Sequence, residues 1–93
     1  MNTQTAVVMY GTLICPYCRA ARDFLDARGV SYEDIRVDDR PELRAQMRER
    51  GGGHTVPQIW IGSRHVGGYT DMLALDREGR LESLFHNPEQ IDE

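Results

Sequence analysis

Lysine is absent from this chain: its 11 basic side chains are all arginine, set against 15 acidic ones for a net charge of −4 over 93 residues. The charges are interspersed and form no basic cluster, so nucleic acid is not an expected partner. Long apolar runs are missing too. The opening Met1-Asn2-Thr3-Gln4-Thr5 carries no cationic side chain, and the apolar stretch behind it is only Ala6-Val7-Val8-Met9-Tyr10. Neither a secretory signal nor a membrane span is expected, and the default compartment is the cytoplasm. Cysteine is scarce: Cys15 and Cys18 are the only two. A bridge closing so short a loop constrains little of the unfolded chain, which excludes a disulfide framework as the source of stability.

What remains is an ordinary globular composition, 40% hydrophobic and 28% charged. Its length suits a single domain over 1–93 with one layered core. Residues 5–10 read as a buried strand, and 16–28 as a helix with Ala20, Ala21, Phe24 and Leu25 among its apolar positions, ended by Gly29. Residues 31–37 alternate, with Tyr32, Ile35 and Val37 apolar, as in a second strand. Asp38-Asp39-Arg40-Pro41 carries helix-start chemistry, an acidic cap candidate followed by proline. The helix it opens runs to about Arg50 with Leu43 and Met47 on one face, until Gly51-Gly52-Gly53 breaks it. Residues 56–61 form a third strand, and Gly62-Ser63 can turn it into a short fourth around His65 and Val66. Helical segments over 70–77 and 79–86 follow, and the polar tail 87–93 is expected to fray. Trp60, Phe24 and Phe85 are assigned to the core.

The chemistry is concentrated in Cys15-Pro16-Tyr17-Cys18, a C-x-x-C at a strand-to-helix junction, which reads as a thiol–disulfide exchange site. Exchange requires a thiolate, and an ordinary thiol of pKa about 8.5 is only about 3% ionised at pH 7. A helix N-terminus offers unpaired N–H groups and roughly half a positive charge, which favours the anion. Cys15 stands just ahead of such a terminus, with Pro16 suited to the first turn. Cys15 is therefore the expected nucleophile. Cys18, inside the first turn and more covered, is the expected resolving thiol. Two other uses of the pair are open: half of a structural zinc site, which needs two further ligands that His54, His65 and His86 do not supply at ligand spacing, or a buried apolar pair.

Together with Thr55-Val56-Pro57-Gln58-Ile59-Trp60-Ile61 and Gly67-Gly68-Tyr69-Thr70-Asp71, this motif resembles the glutaredoxin family over about residues 5–86. The resemblance rests on a dithiol C-P-Y-C signature, a T-V-P block and a G-G-x-x-D block, in order and at these separations. It implies a thioredoxin-like fold, a four-stranded mixed sheet flanked by helices in the order β-α-β-α-β-β-α-α. It also implies glutathione as co-substrate, in reduction of protein disulfides and of glutathione mixed disulfides, with a glutathione reductase system as an indirect partner and a monomeric state.

Residue by residue, the resemblance makes Pro57 cis and opposite the nucleophile, and pairs the Val56 backbone with the cysteinyl part of glutathione. It places the γ-glutamyl end at Thr70 and Asp71, where Thr70 is suited to cap a helix and Asp71 to take the ammonium. Gly68 allows a ligand close to the main chain, and Thr55 and Tyr17 flank the same region. Gln46, Arg50 and His54 are the candidates for the glycine carboxylate. The family usually carries lysine three residues before the nucleophile, where this chain has Thr12. Its absence leaves the helix terminus, with Arg19, to stabilise the thiolate, while the neighbouring Arg22 is assigned to a solvated face. A carrier fed by a thioredoxin-type reductase and a module holding a [2Fe–2S] cluster through Cys15 and glutathione are the alternative readings.

Overall fold

The computed structural model describes residues 4–86. Its elements are β1 (Val7–Gly11), α1 (Pro16–Ala27), β2 (Glu33–Arg36), α2 (Pro41–Glu49), β3 (Gln58–Ile61), β4 (Arg64–Gly67), α3 (Tyr69–Arg77) and α4 (Leu81–His86). The sheet order is β2-β1-β3-β4. β1 and β2 are parallel, which requires a crossover, and α1 supplies it. β1 pairs antiparallel with β3, and β3 antiparallel with β4 through the tight Gly62-Ser63 turn. This is the thioredoxin-like arrangement expected from the order of elements.

Period-two alternation divides the core between the two faces of the sheet. Val7, Met9, Ile59 and Ile61 point to one side, where they meet Ala21 and Leu25 of α1, Met72 of α3, and Leu81, Leu84 and Phe85 of α4. Tyr10 and Trp60 point to the other, against Val37 just after β2 and Met47 of α2. Each fully buried aliphatic side chain contributes about 1.5–3 kcal/mol by leaving water. The chain ahead of β1 is tied to α4 by the Thr5 N–H, which donates to the Phe85 carbonyl.

Helix ends follow local sequence closely. Gly29, at φ +68°, donates to the Asp26 carbonyl at 3.0 Å while Val30 donates to Leu25 at 3.1 Å, satisfying carbonyls that the end of α1 leaves open. Helix starts follow it less well. No acidic side chain caps α2: its cap position is Arg40, and Asp38 is instead drawn away to accept from the Leu13 N–H at 2.9 Å and from Arg36 at 3.1 Å. Thr70 does not cap α3 either. The cap position is Gly68, whose N–H donates to Asp71 Oδ2 at 2.8 Å. Asp71 thus closes the helix start from three residues inside it, the reach-back half of a capping box.

Two further expectations are revised. Regular pairing in β3 begins at Gln58, because Val56–Pro57 is a cis peptide in the loop before it. Phe24 flanks the core and does not enter it, lying half-buried under the Arg28 guanidinium, 4.4 Å from the ring centre. That arginine also forks onto Asp76 at 2.8 and 2.9 Å, joining the end of α1 to α3. Among the described residues no helix is long and apolar enough to cross a membrane. The tail 87–93 lies outside the described residues.

Candidate active site

Pro16 fixes the first turn of α1, and this puts Cys15 at the N-cap with extended backbone, φ −69° and ψ 123°. The Cys15 carbonyl already accepts the Arg19 N–H at 3.0 Å, so the helix begins directly behind the thiol. Both cysteines are free thiols, Cys15 half-buried and Cys18 fully buried. Cys15 Sγ lies 3.9 Å from the Val56 carbonyl oxygen, across a separation of 41 residues in sequence. The cis peptide between Val56 and Pro57 stands at the same place. Cys18 Sγ points inward, where the Thr12 N–H reaches it at 3.4 Å and Thr12 Oγ1 lies 4.0 Å away.

These surroundings separate the two thiols. Burial works against charge on Cys15, yet the N–H of Cys18, the Cys18 thiol, the N–H of Tyr17 and the Arg22 guanidinium together outweigh it and draw its pKa below the ordinary thiol value. Burial dominates at Cys18 and pushes its pKa up. The Thr12 N–H opposes that rise, while the neighbouring Cys15 reinforces it. One thiol is prepared to attack and the other is kept neutral beside it.

The supporting cation is not the one expected. Arg19 is exposed, on the solvent side of α1. Arg22, assigned to a solvated face, is folded inward, with its side chain only 15% exposed. Its Nε donates to Asp34 on β2 at 2.9 Å, and its Nη2 to the Thr12 carbonyl at 3.0 Å. The signal was present in the spacing: Arg22 is four residues after Cys18, one turn along the same helical face.

Beside Cys15 runs a cleft of about 450 Å³, lined by Thr55, Val56 and Pro57 from the loop before β3 and by Gly68, Thr70 and Asp71 at the start of α3, with Tyr17 across from them. The Tyr17 and Tyr69 rings face each other at 6.3 Å between centroids. The start of α3 leaves its first N–H groups without intrahelical acceptors, which suits a carboxylate. A side chain at position 68 would stand 3.5 Å from the Pro57 carbonyl, so glycine keeps the cleft open there.

Of the residues singled out in the sequence, Tyr17, Thr55, Val56, Pro57, Gly68, Thr70 and Asp71 meet around this cleft. Gln46, Arg50 and His54 are not in its lining. Gln46 accepts the buried Tyr10 hydroxyl at 2.7 Å. Arg50 donates to the same hydroxyl at 3.0 Å and stacks 4.6 Å from the Trp60 ring centre. His54 is exposed beyond the glycine run.

The cleft also includes Gln58 and His65, which sequence reasoning passed over. His65 Nε2 lies 2.7 Å from Gln58 Oε1, and Gln58 Nε2 donates to Thr55 Oγ1 at 3.1 Å, bracing the T-V-P loop from β4. The hairpin register that sets His65 opposite Trp60 is the signal that would have found this contact.

The geometry is that of a redox-active thiol pair next to a polar cleft, and comparison with known proteins agrees with it. The glutaredoxin family model matches residues 7–66. The chain is 50% identical over 78 residues to a glutaredoxin of Pseudomonas aeruginosa, covering 84% of this chain and 93% of that one. It is 41% identical over 78 residues to glutaredoxin 3 of Escherichia coli K12, covering 84% and 94%. In structure it is similar to the solution structure of a Brucella melitensis glutaredoxin, with TM-score 0.80, 44% identity, and coverage of 94% of this chain and 95% of that one. A buckwheat glutaredoxin–glutathione complex is similar at TM-score 0.78 and 27% identity, covering 85% and 74%. The chain belongs to the glutaredoxin family and has its thiol–disulfide oxidoreductase function.

Proposed function

We propose that this glutaredoxin is glutathione-dependent and reduces both glutathione mixed disulfides and protein disulfides. The observation that carries the reading is the cleft that runs from Val56 to the N-terminus of α3, with the Cys15 thiol 3.9 Å from the Val56 carbonyl oxygen at its side. Glutathione is an extended tripeptide with a thiol at its centre and a carboxylate at each end. In this reading its cysteinyl backbone pairs with Val56. Its γ-glutamyl carboxylate meets the N–H groups at Thr70, and its ammonium meets the Asp71 carboxylate. Thr55, Pro57, Gly68 and Tyr17 shape the walls. Arg50 and Gln46 hold Tyr10 but keep N–H donors for a glycine carboxylate; neither they nor His54 line the cleft, so all three contribute secondarily.

Exchange then follows from the thiol asymmetry. The Cys15 thiolate attacks the glutathione sulfur of a mixed disulfide, forming Cys15–glutathione and expelling the protein thiolate, which takes up a proton. A second glutathione thiolate attacks the same glutathione sulfur, releasing oxidised glutathione and restoring Cys15. With a protein disulfide, Cys15 forms a mixed disulfide with the substrate and Cys18 displaces the substrate, leaving Cys15–Cys18 for glutathione to reduce. Glutathione reductase completes the cycle indirectly. The protein works as a monomer in the reducing cytoplasm, where a cysteine pair cycles rather than stays oxidised.

The test is turnover of a small glutathione mixed disulfide with glutathione, glutathione reductase and NADPH. Cys15→Ser is expected to abolish it and Cys18→Ser to preserve it, with protein-disulfide reduction lost in both. A well-folded wild-type protein inactive in this coupled assay would refute the proposal.

A further inference from the structure

The loop that lacks the customary lysine is not left without a cation. Arg22 reaches it from the second turn of α1, and does so in an unusual way. Its Nη2 holds the carbonyl of Thr12 at 3.0 Å, while the N–H of the same residue points at Cys18 Sγ at 3.4 Å. A Cβ added to Gly11 would stand 3.1 Å from Cys18 Sγ and 3.4 Å from Arg22 Nη2, so both atoms converge over the main chain at Gly11. Asp34 on β2 accepts from Nε at 2.9 Å and from the same Nη2 at 3.4 Å, which keeps Arg22 from swinging to solvent. The groups facing this spot are Cys15 at the N-cap, Cys18 and Arg22 from α1, Thr12 from the loop, and Asp34 and Tyr32 beside the arginine.

Building on the proposed function, we infer that Arg22, acting through the Thr12 backbone it holds, is a positioning residue for the second cysteine: it stabilises Cys18 as it becomes a thiolate and so sets the resolving step. In that step Cys18 gives its proton to solvent and its thiolate attacks Cys15 Sγ in the mixed disulfide. The Cys15–Cys18 bond forms as the bond from Cys15 to the leaving sulfur breaks, and the expelled thiolate is protonated. Cys15 feels the guanidinium too, but the N–H groups of Cys18 and Tyr17 contribute more to holding its charge than Arg22 does. The stabilising groups therefore differ in emphasis: the helix terminus contributes most at the nucleophile, and the arginine-held Thr12 backbone contacts the resolving thiol.

Magnitudes make this testable. If loss of Arg22 lowers the Cys18 thiolate fraction about tenfold near neutrality, the accompanying rise in basicity makes each thiolate about threefold more nucleophilic, so the net slowing is about three- to fourfold. Above both pKa values the thiolate is saturated, and the variant is expected to become about threefold faster than wild type. A merely structural defect does not change sign with pH.

The experiment mixes reduced protein with oxidised glutathione and follows acid-quenched samples by mass spectrometry. A first phase glutathionylates Cys15, and a second, independent of glutathione concentration, closes the Cys15–Cys18 bond. Arg22→Gln is expected to slow the second phase more than the first at pH 7, with the second crossing over at alkaline pH. Arg22→Lys, which keeps the charge, should follow the wild-type profile. Equal slowing of both phases, a pH-independent defect, or a lysine variant as impaired as the glutamine one would overturn the inference. The assay uses oxidised glutathione only as a disulfide reagent. A wild type showing both phases but no coupled turnover would therefore refute the proposed function and leave this inference standing.

Discussion

Gly67 and Asp71 form the tightest coupling at the cleft and give a prediction with a definite size. Gly67 has φ +110°, a conformation that side-chain-bearing residues rarely adopt, and a Cβ built there runs into the Asp71 carboxylate. That carboxylate accepts the Gly68 N–H at 2.8 Å and so closes the start of α3. Gly67→Ala therefore combines two losses: backbone strain of about 1–3 kcal/mol, and the cap bond, about 1 kcal/mol by comparison with other N-terminal caps. Asp71→Ala alone removes only the cap. If the methyl group already displaces Asp71, removing the carboxylate as well costs little more, and the double variant should be about as stable as Gly67→Ala. The cycle then has a coupling of about 1 kcal/mol, above the few tenths expected of independent sites. For a domain of this size that corresponds to about 4–8 °C in melting temperature. Urea unfolding of the four proteins with a shared slope measures it. Strict additivity would show that the Cβ and the carboxylate do not compete, and the argument would fail.

Two other outcomes follow from the packing and the thiol environments. Alkylation across pH should resolve two thiols, with Cys15 reacting at lower pH than an ordinary thiol and Cys18 at higher pH; the direction follows from the lowered and raised pKa values, and coincident profiles would contradict the asymmetry. Gly52→Ala should destabilise by about 1–3 kcal/mol through overpacking, because its Cβ would stand 2.8 Å from Trp60 Cη2 and 3.0 Å from the Met47 carbonyl oxygen. An unchanged urea midpoint in that variant would show that Trp60 yields freely.

Much of this protein is written locally. Gly29 ends α1 because a residue that follows a helix and tolerates positive φ lets the next two N–H groups turn back onto open carbonyls. The continuous apolar run Val7-Val8-Met9-Tyr10 marks a strand buried on both faces before any neighbour is known. Cys15 before Pro16 places a thiol at a helix start through near-neighbour geometry alone. The three motif blocks likewise identify the family without coordinates.

Long-range contacts decided the rest. Thr70 and Asp38 carry good capping chemistry, yet Asp71 closes α3 and the Leu13 N–H takes Asp38, because a polar side chain goes to the donor that tertiary packing leaves open. Arg19 and Arg22 are alike in sequence. Only the approach of β2 brings Asp34 within reach of Arg22 and turns it inward toward the cysteines, while Arg19 stays in solvent. Gln46 and Arg50 had the chemistry for a carboxylate, but the hydroxyl of buried Tyr10 needed partners and they supply them. Backbone preferences are set within a few residues and can be read from them. The partner of a charged side chain depends on distances that exist only after the chain has folded, and those contacts separate the two thiols that the sequence sets side by side.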